Sequence, residues 1–334
     1  MAWVNRKKIQ PAAGKPRKGR SEETMSQTRI RLIGAPTDVG ASMRGASMAP
    51  EALRVAGLPE ALARRGLAVL DDGNLSGPSN PMLPPVAGHR HLPEVHAWNQ
   101  AVRDAVSVAL QAGELPLLLG GDHCLAIGSI GAVAEHCRQQ GKTLRVLWLD
   151  AHADFNTSTI TPSGNLHGMP VAILCGQGPD ALVRLASGAL SGAALAPESV
   201  RLIGVRSVDE QERQLVHTCG LEVFDMRHLD EHGMRTTMQQ ALMGVDERTH
   251  LHVSFDVDFL DPDIAPGVGT PVRGGPSYRE AQLCMEMIAD TGQLASLDVV
   301  ELNPARDHQN RTAELVVDLV ESLFGKSTLM RLRP

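Results

Sequence analysis

Two hydrophobic rhythms alternate along the chain. Runs that are apolar at nearly every position occur at RIRLIG (29–34), LAVLD (67–71), LPLLL (115–119), LRVLWL (144–149), VRLIGV (200–205), LEVFD (221–225), HLHVSF (250–255) and LASLDVV (294–300). Between them lie amphipathic stretches at 94–112, 125–140, 208–218, 228–243, 277–290 and 310–324. Continuously apolar runs predict strands of a sheet buried on both faces, and the amphipathic stretches predict the helices that cover it. The expected fold is therefore α/β: a three-layer α/β/α arrangement around a mostly parallel sheet of about eight strands. No linker interrupts the alternation, so residues 29–334 are expected to form one domain. Residues 1–28 are basic and broken by Pro and Gly, and they predict a disordered tail. This tail lacks the apolar segment of a secretory signal. An organelle-targeting role is its weaker reading, and a start at Met25 would omit most of it.

In such sheets ligands gather beyond the carboxyl ends of the strands. Acidic and histidine residues are concentrated there: GGDHCLAIG follows the third run, DAHADFN the fourth, RSVDE the fifth, DVDFLDPD the seventh and ELNP the eighth. Side chains of extended chain alternate faces, so Asp150, His152 and Asp154 point one way if the strand geometry continues. Asp256 and Asp258 repeat the pattern with Val257 turned away, and His123 follows two glycines whose turn can aim its ring across the strand tops. Four crowded aspartates cannot be buried without compensation. Two divalent cations would cancel their charge, held roughly 3.5 to 4 Å apart by shared carboxylates. Oxygen-rich ligation with two imidazoles and no thiolate favours manganese over zinc, with cobalt or nickel as substitutes.

Composition narrows the classes. A formal charge of -6 and a pI near 6.1 argue against a general nucleic-acid binder, and 3% aromatic residues argue against a base-stacking platform. The five cysteines are scattered, odd in number and free of any CxxC, which fits a reducing cytoplasm better than a disulfide framework. No apolar run reaches the roughly 18 to 20 residues of a membrane span.

The segments GGDHCLAIG, DAHADFN, SGNLHGMP, SFDVDFLDP, GVGTPVRGG and VVELNP, in that order, resemble the ureohydrolase family, and within it the arginases. The resemblance runs from about residue 29 to about residue 330. It implies a binuclear manganese hydrolase that cleaves L-arginine to L-ornithine and urea by attack of a metal-bridging hydroxide. One ion would take His123, Asp150, Asp154 and Asp256, and the other Asp150, His152, Asp256 and Asp258. By the same resemblance Asp154 orients the hydroxide, Glu301 holds the guanidinium and His167 transfers protons. Asn156 and Ser163 would meet the α-carboxylate, Asp209 the α-ammonium, with Glu212 acting through water. Thr270 would supply a hydroxyl at the substrate site. The resemblance also suggests a homo-oligomer, a trimer or hexamer.

Three departures from the family pattern bear on the substrate. Ser207 stands where many arginases have an aspartate, Cys124 follows His123 where serine is common, and Phe259 replaces a usually smaller residue and is expected to narrow the site. The competing substrates are agmatine, 4-guanidinobutyrate or a formimino compound, and the competing class is a non-catalytic subunit of the same fold.

Overall fold

The computed structural model describes residues 28–188 and 192–329. The expected tail over residues 1–28 therefore lies, but for residue 28, outside the described residues. The eight strands are β1 (Arg29–Ala35), β2 (Ala68–Asn74), β3 (Leu115–Gly120), β4 (Thr143–Leu149), β5 (Val200–Ile203), β6 (Glu222–Phe224), β7 (Thr249–Asp256) and β8 (Leu294–Val300). They form one parallel sheet in the order β2-β1-β3-β8-β7-β4-β5-β6. The helices are α1 (Ala49–Val55), α2 (Leu58–Arg64), α3 (Leu92–Gln111), α4 (Ala126–Gln140), α5 (Pro170–Leu174), α6 (Asp180–Ser187), α7 (Glu210–Cys219), α8 (Met226–Ala241), α9 (Tyr278–Thr291) and α10 (Arg311–Leu323). Each apolar run is a strand and each long amphipathic stretch a helix. The sequence reading missed α1, α2, α5 and α6, whose five to eight residues are too few to establish a helical period.

Helix α9 shows how local chemistry sets an element's limits. Ser277 and Glu280 form a reciprocal cap at its start, and Gly292, with φ 66°, ends it in the left-handed region. Ala281, Cys284, Met285 and Ile288 recur at helical spacing and are buried against the sheet. Burying each large apolar side chain stabilises by about 1.5–3 kcal/mol. One apolar cluster joins α1, α2, α8, α9 and α10 to one sheet face, and a second joins α3, α4, α5 and α6 to the other.

The four central strands β3, β8, β7 and β4 lie side by side, so the segments after their carboxyl ends are neighbours in space. Strand β7 is buried at all eight positions, but only one of its faces is apolar. Leu251, Val253 and Phe255 join the first cluster, while His250, His252, Ser254 and Asp256 turn toward the other face.

Candidate metal centre and catalytic cavity

The ligand-bearing segments are not continuations of strands. β4 ends at Leu149, and Asp154 has φ 49°, in the left-handed region. The expectation that alternation along one extended strand orients Asp150, His152 and Asp154 is therefore corrected: a backbone curl does so. Asp256 closes β7 and caps the single 3₁₀ turn Val257–Phe259, which carries Asp258 and leaves Val257 in the apolar cluster. His123 opens another 3₁₀ turn, capped by Asp122. Glu301 has φ 62°. Left-handed backbone is costly for residues other than Gly, Asn and Asp, and it clusters at functional sites.

These turns bring the six candidate ligands together. His123 Nδ1 lies 3.2 Å from Asp150 Oδ2 and 3.1 Å from both Asp154 Oδ2 and Asp256 Oδ2. His152 Nδ1 lies 3.4 Å from Asp150 Oδ1 and 3.2 Å from Asp258 Oδ2. Ligand atoms of His123, Asp150 and Asp154 lie within 4.8 Å of one another, as do those of Asp150, His152 and Asp258, so Asp150 belongs to both groups. One ring N–H can satisfy only one of the three carboxylates that crowd His123. Ligands about 2.2 Å from a shared cation at octahedral corners stand about 3.1 Å apart, so the donor set fits a divalent cation.

The ligands are held from behind. The His123 ring stacks on Trp148 at 4.0 Å, and its Nε2 lies 2.9 Å from Ser254 Oγ. Trp148 Nε1 donates to Asp150 Oδ2 at 2.8 Å, and the His152 amide donates to Asp150 Oδ1 at 2.7 Å. The Asp258 amide donates to Asp256 Oδ1 at 2.7 Å. Neither Trp148 nor Ser254 was singled out in the sequence. The alternation that puts Trp148 and Asp150, or Ser254 and Asp256, on one side was the available signal.

The electrostatics express the excess of acid. Burial, with the Asp150 charge, pushes Asp154 up to about 6. Burial, with Asp258 and Asp150, pushes Asp256 well above the usual carboxylate range. Burial opposes ionisation of Asp150 too, but its bonds to His123 and His152 hold it well below that range. Burial alone would depress His167; Glu301, 2.9 Å from its Nδ1, outweighs it and raises the imidazole to about 9.

A cavity of about 240 Å³ opens from this cluster. Every residue named above for catalysis or substrate binding lines it: Asp154, His167 and Glu301, with Asn156, Ser163, Asp209, Glu212 and Thr270. Glu301 Oε1 also accepts from the His123 amide at 2.8 Å, joining the ends of β8 and β3. Asp209 caps α7 in a reciprocal box with Glu212 and accepts from Asn156 Nδ2 at 3.0 Å, while Asn156 Oδ1 is buried without a partner among the described residues. Glu212 also accepts from the Phe155 amide at 2.9 Å, and burial pushes its carboxyl up to about 7. Thr270 donates to Asp258 Oδ2 at 2.9 Å, so its hydroxyl braces a candidate ligand. Ser207 lines the cavity.

Phe259, expected to narrow the site, is fully buried and outside the cavity lining. Its ring packs edge-on to Phe255 and fills the space beside Gly204, where a Cβ would stand 2.5 Å from the ring. Cys124 is fully buried in the second apolar cluster. The sequence reading also passed over the segment after β1. Its Gly40 donates to Asp122 at 2.8 Å and accepts from the His167 amide at 3.2 Å, and its Arg44 carbonyl accepts from Asn303 at 3.0 Å.

Comparison with known proteins agrees with this geometry. The sequence model described as "Arginase family" matches residues 28–325. An arginase of Agrobacterium fabrum is 44% identical over 303 residues, covering 90% of this chain and 92% of that protein. An arginase of Bacillus subtilis is 42% identical over 301 residues, covering 90% of this chain and 99% of that protein. The solved arginase of Bacillus caldovelox superposes with a TM-score of 0.85 at 40% identity, covering 91% of this chain and all of that one (100%). Matched along nearly its whole described length in sequence and in fold, the chain belongs to the arginase family.

Proposed function

We propose that the protein hydrolyses the guanidino group of L-arginine, giving L-ornithine and urea. The observation that carries this is a single cavity lined both by His123, His152, Asp154 and Asp256 of the Asp/His cluster and by Asp209, Asn156 and Ser163. Its relatives named arginases support the reading. His123, Asp150, Asp154 and Asp256 would hold one Mn²⁺, and Asp150, His152, Asp256 and Asp258 a second; Co²⁺ or Ni²⁺ would substitute. When bound, the cations supply Lewis acidity that makes water more acidic near neutral pH.

The chain's own residues do the rest. Asp154 accepts a hydrogen bond from the attacking water and aims it at the guanidinium carbon. Glu301 pairs with the guanidinium by a charge-assisted bond and fixes the angle of attack. As the oxygen bonds to the carbon the water gives a proton to Asp154, the bond from carbon to the ornithine nitrogen breaks as the remaining O–H proton leaves to give urea, and that nitrogen takes a proton. His167, held through Nδ1 by Glu301, supplies or relays it. Asp209 meets the α-ammonium, with Glu212 behind it through water. The second N–H of Asn156 Nδ2 and the Ser163 hydroxyl meet the α-carboxylate. Thr270 keeps Asp258 oriented beside the substrate. The same reading takes residues 29–334 as one catalytic domain working in the cytoplasm as a trimer or hexamer, which sedimentation would test.

The deciding assay measures urea release from arginine, agmatine and 4-guanidinobutyrate with each divalent metal. Arginine is the expected best substrate. Asp209→Ala should raise KM for arginine by about 10- to 100-fold, because the α-ammonium loses its partner. Its effect on agmatine should stay within about threefold, since agmatine has no such group. Robust release from agmatine with negligible release from arginine overturns the assignment.

A further inference from the structure

We propose that Arg206 is a positioning residue that sets the geometry of the Asp258 half of the metal centre, through its guanidinium fork rather than its charge. The inference rests on the two-cation reading above. Arg206 has no carboxylate partner among the described residues. Its three nitrogens instead donate to five backbone carbonyls: Gly204 (3.2 Å), Asp258 (2.7 Å), Phe259 (3.0 Å), Leu260 (3.1 Å) and Val272 (3.1 and 2.9 Å). These carbonyls belong to three segments, namely the end of β5, the turn that carries Asp258, and the loop just after Thr270. The backbone of the same residue reaches a fourth, as the Arg206 amide donates to the Ala151 carbonyl at 2.8 Å, between Asp150 and His152.

The segments gathered this way carry one half of the centre. The fork holds the backbone of Asp258 and of the loop just after its brace Thr270, while the main chain of Arg206 holds Ala151, between Asp150 and His152. The other half is anchored elsewhere: His123 by Trp148, Ser254 and Glu301, and Asp154 by its own left-handed turn. Removing the fork should therefore loosen the turn that carries Asp258, a ligand of the second ion alone, and spare His123 and Asp154, which serve the first. Guanidinium presents five N–H groups in a planar fan, and that fan matches carbonyls from separate segments; an ammonium offers three donors from one point. The packing reserves this space. A Cβ on Gly275 would stand 2.6 Å from Arg206 Nη2 and 2.8 Å from the Asp261 amide nitrogen.

The test uses the full chain, stripped of metal and titrated with Mn²⁺, read by calorimetry and by the spin-coupled electron paramagnetic signal of a manganese pair. Wild type should take two ions and develop the coupled signal. Arg206→Lys keeps the charge and removes the fork. It should bind the first ion within about threefold of wild type and the second about 10- to 100-fold more weakly, the usual effect of losing a group that orients a metal ligand. Gly275→Ala, which leaves Arg206 in place but displaces its guanidinium, should reproduce that pattern in a protein whose circular dichroism is unchanged. Equal weakening of both ions in either variant would mean a general packing role and would overturn the proposal. So would a second-ion affinity matching wild type in Arg206→Lys, because charge alone would then suffice. Failure of wild type to bind two ions would instead overturn the two-cation reading itself, with the inference that rests on it.

Discussion

At the carboxyl end of β7, Asp256 and Asp258 join Asp150 and Asp154 around two imidazoles, His123 and His152. Lower on the same face of the same strand lies a second buried polar group. His250 and His252 both reach the Ser296 hydroxyl, at 2.9 and 2.8 Å, and His252 Nε2 faces Asp298 Oδ2 at 3.3 Å. The other Asp298 oxygen accepts from Ser129 of α4 at 2.6 Å. The upper cluster has more carboxylates than imidazoles to neutralise them, whereas the lower has a single carboxylate among two imidazoles and two hydroxyls. Both are buried and both are polar, yet only the upper one calls for a cation. Burial of polar groups does not by itself make a reactive site. An uncompensated excess of one charge does, because the protein interior tolerates it only when the groups take up protons or something of opposite charge binds.

The contrast can be broken most forcefully from above. Chelating the divalent cation should lower arginine turnover by about 1,000-fold or more, about 4 kcal/mol of barrier, and Mn²⁺ should restore it. A urea-release assay before and after dialysis checks this, and chelator-resistant activity would contradict it. The lower cluster should respond in stability instead. His252→Leu takes one of the two imidazoles off the buried Ser296 hydroxyl, and it should cost about 1–3 kcal/mol in urea unfolding. Mn²⁺ affinity should stay within about threefold of wild type. A large loss of Mn²⁺ affinity would mean the two clusters act as one.

A pH titration sharpens the comparison. Burial draws the His250 imidazole down to about 3, with repulsion from His252, His136 and Lys142 added. In the unfolded chain the same group titrates near about 6.5. Between those values the unfolded chain binds the extra proton, so stability falls as pH falls, by at most about 1.4 kcal/mol per unit from this residue. Urea unfolding at pH 7, 6 and 5 should show a shallower decline in His250→Gln than in wild type, and parallel declines would refute it. The smallest effect is expected at Phe259, which neighbours the upper cluster in sequence but belongs to the apolar core. Phe259→Leu should cost about 1 kcal/mol and leave KM for arginine unchanged. A changed ranking of arginine against agmatine would return Phe259 to the site.

Much of this was legible from the chain. All eight strands follow from apolar runs, and all six candidate ligands from their place after those runs. Less legible were the supports. Trp148 and Ser254 look like ordinary strand residues until the His123 ring lies against them. Arg206 looks like a surface cation until five carbonyls converge on it. The two buried histidines of HLHVSF sat inside a run read as apolar. Ser296 of β8 meets both rings and Asp298 stands beside His252, and nothing local to either strand announces that arrangement.

What the sequence determined by itself is the inventory: where strands end, and that aspartate and histidine stand at those ends. Alternation and amphipathic period are local, so they can be read one segment at a time. The tertiary structure alone decided that β3, β8, β7 and β4 are neighbours, which puts Glu301 against the His123 amide 178 residues away. It also decided that Asp154 and Glu301 adopt left-handed backbone. Parallel strands pair through backbone groups that every residue shares, so their order is set by how helices and side chains pack across the whole sheet. A strained turn persists only where that packing holds it.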